Sequence, residues 1–129
     1  MPVEVKILAY ACLLQAVLLA VRSILVNLQL GPRYTGGNRD VNIPITGQAG
    51  RMDRSVSNHY EALILFTIAV VVVVLADKSS GVTEAAAWVF LLARILFVGA
   101  YASGIPYLRS VIWSAGLLAI LTMLIVALI

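Results

Sequence analysis

Residues 51–76 read RMDRSVSNHYEALILFTIAVVVVVLA, a polar stripe that runs without a break into an apolar segment. Arg51, Arg54, Asn58 and Glu61 recur at i, i+3, i+7 and i+10. At about 3.6 residues per turn they share one helix face, spread over roughly 80°. The apolar part that follows, Ala62–Ala76, has only 15 residues, whereas a helix needs about 20 to cross a bilayer. For this segment to span, the hydrocarbon region must take in residues back to about Ser57. Asn58 and Glu61 then lie inside the membrane boundary, where polar groups face other helices or a wet cavity rather than lipid.

The rest of the chain supports a membrane reading. Of 129 residues, 62% are hydrophobic and 12% charged, and the mean hydropathy is +1.03. A soluble domain is about half apolar and a quarter charged. The length allows one domain with four spans, at about 7–30, 55–76, 84–102 and 109–129, forming an all-α four-transmembrane-helix bundle. Gly31-Pro32, Asp77–Gly81 and Gly104-Ile105-Pro106 punctuate them. Residues 31–50 contain five glycines and two prolines and read as an irregular connector, either solvated or forming a wall of a site. The first apolar run reaches Leu30, longer than the apolar region of a secretory signal, so it reads as a retained span. Cys12 is the sole cysteine; it reads as a packing residue and leaves the redox compartment open. A net charge of +3 without a basic arm argues against a nucleic-acid partner.

Four spans put both termini on one side. Residues 31–56 and 103–109 carry Arg33, Arg39, Arg51, Arg54 and Arg109, against Lys6 and Lys78 on the other side. The positive-inside rule makes the arginine side cytoplasmic and the termini opposite. Arg22 and Arg94 each fall eight residues from the cytoplasmic end of their spans, about 12 Å deep. The intramembrane charges therefore gather in one half of the bilayer.

Two readings of this cluster follow from spacing. Glu61 pairs internally with Arg94 or Arg22, while Arg51 and Arg54 snorkel to lipid phosphates. Alternatively, the surplus guanidiniums form an anion site that binds carboxylates and favours a thiolate. Tyr101, on the face of Arg94, adds a hydrogen bond to such a site. His59 follows Asn58 but points about 100° away on the helix; no second ligand stands at metal spacing, so no metal is expected. Ser110, beside Arg109, is a hydroxyl donor or an ordinary first-turn residue. Trp88 and Trp113 fit interface anchoring.

Arg54-x3-Asn58-x2-Glu61 at the head of span 2, with Arg94-x6-Tyr101 and then Arg109-Ser110 at the start of span 4, resembles the signature of the MAPEG family, the membrane-associated proteins of eicosanoid and glutathione metabolism. The resemblance covers essentially the whole chain. It implies a homotrimer with glutathione as co-substrate between protomers, near the cytoplasmic side. Arg51, Arg54, Asn58 and Glu61 would hold glutathione, Arg94 and Tyr101 would complete the pocket, and Arg33 would reach it from a neighbour. Arg109 matches the arginine that stabilises the thiolate, and Ser110 a hydroxyl that assists. The implied activity is a glutathione transferase or peroxidase acting on a lipophilic electrophile or lipid hydroperoxide from the membrane lipids. The tyrosine that follows the glutamate in some eicosanoid enzymes is absent, since Ala62 stands there. The Arg94–Arg109 interval also contains Pro106 and differs by about a residue from some members. The family includes a non-catalytic lipid-binding member, so a lipophilic-ligand-binding protein of the same fold is the alternative. A small multidrug pump would place a carboxylate in the middle of span 1, where this chain has Arg22.

Overall fold

Helix breakers set the element boundaries. Helix α1, Val3–Leu30, ends at Gly31, whose φ of +89° suits glycine alone. Pro32 then opens a single turn, α2, Pro32–Thr35; proline is favoured in a first helical turn, where its missing N–H costs nothing. The long helices α3, Gly47–Leu75, α4, Gly81–Ser103, and α5, Leu108–Leu128, follow. This computed structural model describes residues 1–37, 43–105 and 107–129, and the side chains of Tyr101 and Ala102 are outside the described set. Arg39 and Pro106, named above, therefore lie outside the described residues. Helices α1, α3, α4 and α5 are each long and apolar enough to cross a membrane.

The 31–50 connector is more regular than its glycines suggest. Besides α2, the last four residues belong to α3, which begins eight residues before the expected span. The cause is tertiary. Gln29 of α1 clips the residue before α3: its Nε2 donates to the Thr46 carbonyl (2.9 Å) and to Thr46 Oγ1 (3.1 Å), and its Oε1 accepts from Thr46 N–H (3.1 Å). Gly50 sits against the chain entering the helix; a Cβ there would lie 3.1 Å from the Ile45 carbonyl oxygen. A residue that disfavours helix by propensity thus allows a close approach that a side chain would crowd.

The four long helices are arranged in the ring order α1, α3, α5, α4, with α3 and α4 also touching across the diagonal. A stacked pair, Phe66 on α3 and Phe90 on α4, spans that diagonal with ring centroids 4.0 Å apart. Buried Ala62, Ala69, Ala86, Ala87 and Ala119 let the backbones close around it. This is how helices associate in lipid, where leucine-rich surfaces gain nothing by leaving the bilayer and packing at small residues supplies the attraction. The exposed leucines, isoleucines and valines, among them Leu13, Ile64, Leu92 and Leu118, give the bundle an apolar outer surface. Thr67, Ser114 and Thr122 each donate to the carbonyl four residues back, at 2.6, 2.8 and 2.8 Å, so their hydroxyls are not left bare.

One end of the bundle is closed by a carboxylate. Glu4 of α1 is fully buried and accepts from Ser79 Oγ (2.8 and 3.0 Å) and Thr83 Oγ1 (2.6 Å). Thr83 also accepts from Ser80 N–H at 2.8 Å and donates its own N–H to Ser80 Oγ at 3.4 Å. That reciprocal cap fixes the start of α4 and holds the Thr83 hydroxyl against Glu4. At the far end, α4 stops at Gly104, which adopts a left-handed φ of +72°. Tyr107, just before α5, has φ +67°. For a non-glycine residue that conformation costs about 1–2 kcal/mol, and it stands two residues from Arg109.

Candidate functional site

The site is built where the lower turns of α3 and α4 face the start of α5. Arg94 is 2% exposed and stands on the same α3–α4 diagonal as the phenylalanine stack. Its Nε donates to His59 Nδ1 at 3.0 Å and its Nη1 donates to Asn58 Oδ1 at 3.0 Å. The far side of the His59 ring meets α1, with Nε2 2.9 Å from the Ala11 carbonyl. The Arg94 guanidinium carbon also lies 4.4 Å from the centroid of the Phe97 ring, one turn further along α4, a cation–π distance. Among the described residues, Arg94 Nη2 is buried without a hydrogen-bond partner. An arginine has five N–H donors, and a buried donor left unmatched costs about 1–3 kcal/mol.

Two spaces adjoin this cluster. A hollow of about 490 Å³ is lined by Asn58, Phe97, Arg109, Ser110, Trp113 and Ser114. A smaller cavity of about 90 Å³ lies between α3, α4 and α5, bounded by Glu61 and Leu65, Phe90 and Arg94, and Trp113 and Gly116. Trp113 borders both spaces. Expected at a membrane interface, it thus lines both a polar hollow and a mostly apolar cavity.

Of the residues expected at the site, Asn58, Arg109 and Ser110 meet in the hollow, with Arg94 bonded behind Asn58. Glu61 lines the smaller cavity with Arg94. Arg51 and Arg54 are exposed on the first turns of α3. A Cβ placed on Gly104 would lie 3.9 Å from Arg51 Nη2, so Arg51 reaches the turn that ends α4. Arg33 sits on α2, which packs on α1, and is not part of the hollow. Tyr101 belongs to α4, with its side chain outside the described residues.

The internal pairings differ from those read off the spacing. Of the two readings that spacing leaves open, the one with internal pairing puts Glu61 with Arg94 or Arg22. Instead Arg94 uses Asn58 and His59, and Arg22 pairs with Asp53 at 3.3 Å. Asp53 is adjacent in sequence to Arg54 and off the Arg51–Glu61 stripe, which is why the stripe gave no hint of it. His59 is the residue that sequence reasoning set aside. A helical wheel separates it from Asn58 by about 100°, yet both reach Arg94 because a guanidinium is a wide planar fork that offers donors in different directions. Among the described residues no group of three or more His, Cys, Asp or Glu is placed to hold a metal ion.

The helices and the site define a class: an integral membrane four-helix bundle with a buried arginine behind a polar hollow at one end. The sequence model of the MAPEG family matches residues 7–129, and the chain belongs to that family. Membership puts it among the membrane-associated proteins of eicosanoid and glutathione metabolism. No curated protein and no solved structure matches the chain.

Proposed function

We propose that the protein is a glutathione-dependent transferase or peroxidase working on lipophilic substrates delivered by the bilayer. The observation that carries this reading is the hollow in which Asn58, Arg109 and Ser110 converge, with Arg94 bonded to the back of Asn58. Glutathione has carboxylates and amides to be held and a thiol to be activated. A thiol with an ordinary pKa near about 8.5 is mostly protonated at neutral pH. A guanidinium beside it favours the thiolate, which is the nucleophile. In this reading Arg109 stabilises the thiolate and Ser110 assists. Asn58, Glu61, Arg51, Arg54, Arg94 and Tyr101 hold the peptide, with Arg33 contributed by a neighbour in a homotrimer. The site faces the cytoplasm and the termini the other side.

The thiolate attacks an electrophilic carbon to form a C–S bond, and the leaving group departs with the electron pair. With a hydroperoxide it attacks the O–O bond and releases the alcohol; a second glutathione then reduces the sulfenic product to disulfide and water. The smaller, mainly apolar cavity favours a second reading, a binding protein that holds a lipophilic ligand without chemistry.

One titration separates the two. Adding glutathione to the detergent-solubilised protein raises the ultraviolet absorbance of a thiolate in the enzyme reading. Arg109→Ala keeps glutathione binding within a few-fold and loses that absorbance. Glutathione binding with no thiolate near neutral pH and no electrophile turnover leaves the lipophile-binding reading. Equal absorbance in Arg109→Ala at saturation refutes the role given to Arg109.

A further inference from the structure

A continuous polar relay runs from the backbone of α1 to the hollow. The Ala11 carbonyl is an acceptor only, so the His59 nitrogen 2.9 Å from it carries the proton. Nδ1 is then the unprotonated nitrogen, as it must be to accept from Arg94 Nε at 3.0 Å. With Nε taken by His59, the guanidinium plane is fixed, and Nη1 meets Asn58 Oδ1 at 3.0 Å. That bond assigns the amide of Asn58: its oxygen is turned to Arg94 and its NH₂ is the end left for the hollow it lines. All three bonds cross between helices, from α1 to α3 and from α3 to α4.

We propose that His59 is a positioning residue of the site. By fixing the guanidinium of Arg94 it orients Asn58 so that the carboxamide presents N–H donors to the hollow. The group bound there by Asn58 is therefore an acceptor, a carbonyl or carboxylate oxygen. The proposal rests on the glutathione reading only for the identity of the ligand; the geometry it asserts belongs to the free protein.

The test has one arm for each. In the first, ¹⁵N NMR of the solubilised, ligand-free protein follows the Arg94 Nε–H. The signal is protected from solvent exchange in the wild type, is kept in His59→Gln, whose amide supplies both an acceptor and a donor, and is lost in His59→Leu. An unprotected signal in the wild type, or one unchanged in His59→Leu, overturns the proposal whatever the ligand. In the second arm, glutathione is titrated. His59→Leu weakens binding at least about tenfold, the order expected when a hydrogen bond to a charged group is lost, and His59→Gln stays within about threefold of wild type. Should His59→Leu fail to fold, the double variant His59→Leu/Arg94→Met removes both polar partners together. It binds no more weakly than Arg94→Met alone if His59 acts through Arg94, whereas additive losses overturn the proposal. A wild type that shows the protected Nε–H but binds no glutathione sinks the glutathione reading and leaves the positioning role standing.

Discussion

The bundle holds two buried ionisable side chains, Glu4 at one end and Arg94 deeper in the opposite half, and the two are handled in opposite ways. Glu4 is an acceptor-only group met by hydroxyl donors, Ser79 and Thr83, the latter held in place by the α4 cap. Arg94 is a donor-only group met by two acceptors, His59 Nδ1 and Asn58 Oδ1, with Nη2 unmatched among the described residues. The Glu4 cluster uses the protein's own side chains and joins the heads of α1 and α4. The Arg94 cluster joins α1, α3 and α4 but borders two spaces on its outer side. A buried charge is tolerated when it is paired and hydrogen-bonded. The first end meets that requirement internally, as a structural fastener does. The second leaves Arg94 Nη2 without a hydrogen-bond partner among the described residues, and its members line the two spaces.

Substitutions at the two ends should separate accordingly. The largest effect is expected from Arg94→Met, which removes the cation and leaves Asn58 unoriented. Glutathione affinity in a binding titration should fall by about a hundredfold or more, in line with roughly 3 kcal/mol for deleting one member of a buried polar set, while the melting temperature in detergent changes less. Glu4→Ala should do the reverse. It leaves the Ser79 hydroxyl without its Glu4 acceptor and the Thr83 hydroxyl with only the Ser80 carbonyl at 3.0 Å, and should cost about 1–3 kcal/mol of stability, read as a lower melting temperature, with glutathione affinity unchanged. A loss of binding in Glu4→Ala equal to that in Arg94→Met would erase the distinction. The smallest effect is expected from Arg22→Ala. Arg22 and Asp53 are 33% and 42% exposed, and partly exposed ion pairs contribute about 0–1 kcal/mol. A shift as large as that of Glu4→Ala would show that this pair, too, is a fastener.

The spans were legible because a bilayer imposes a length, and runs of apolar residues either meet it or do not. The shortfall of Ala62–Ala76 was the most informative single fact, since it drew Asn58 towards the membrane and so towards Arg94. The depth of Arg94 was legible as a count of residues; its partners were not. A wheel reports the direction of a side chain on its own helix and nothing of where a neighbouring helix sends a long one, so His59 read as a bystander. The Arg22–Asp53 pair joins α1 to α3 across 31 residues, a separation that periodicity cannot see. The early start of α3 escaped for a similar reason. Gly47 and Gly50 argue against helix locally, and what overrules them is Gln29, 17 residues upstream of Thr46. Asn58, Arg109 and Ser110 were expected together and do line one hollow, whereas the roles given to them await the titration.

Unequal helix lengths shape the approach to that hollow. Helix α3 has 29 residues and α5 has 21, about 43 and 32 Å at 1.5 Å per residue, against a hydrocarbon thickness of about 30 Å. The shorter helix nearly matches the membrane; the longer one overshoots it. The excess is the polar head of α3, which carries Arg51 and Arg54. Under the proposed function, the water-soluble thiol would be taken from the aqueous side along that head, and the oily substrate would arrive sideways from the bilayer. The two would meet beside Trp113, which lines both the polar hollow and the apolar cavity.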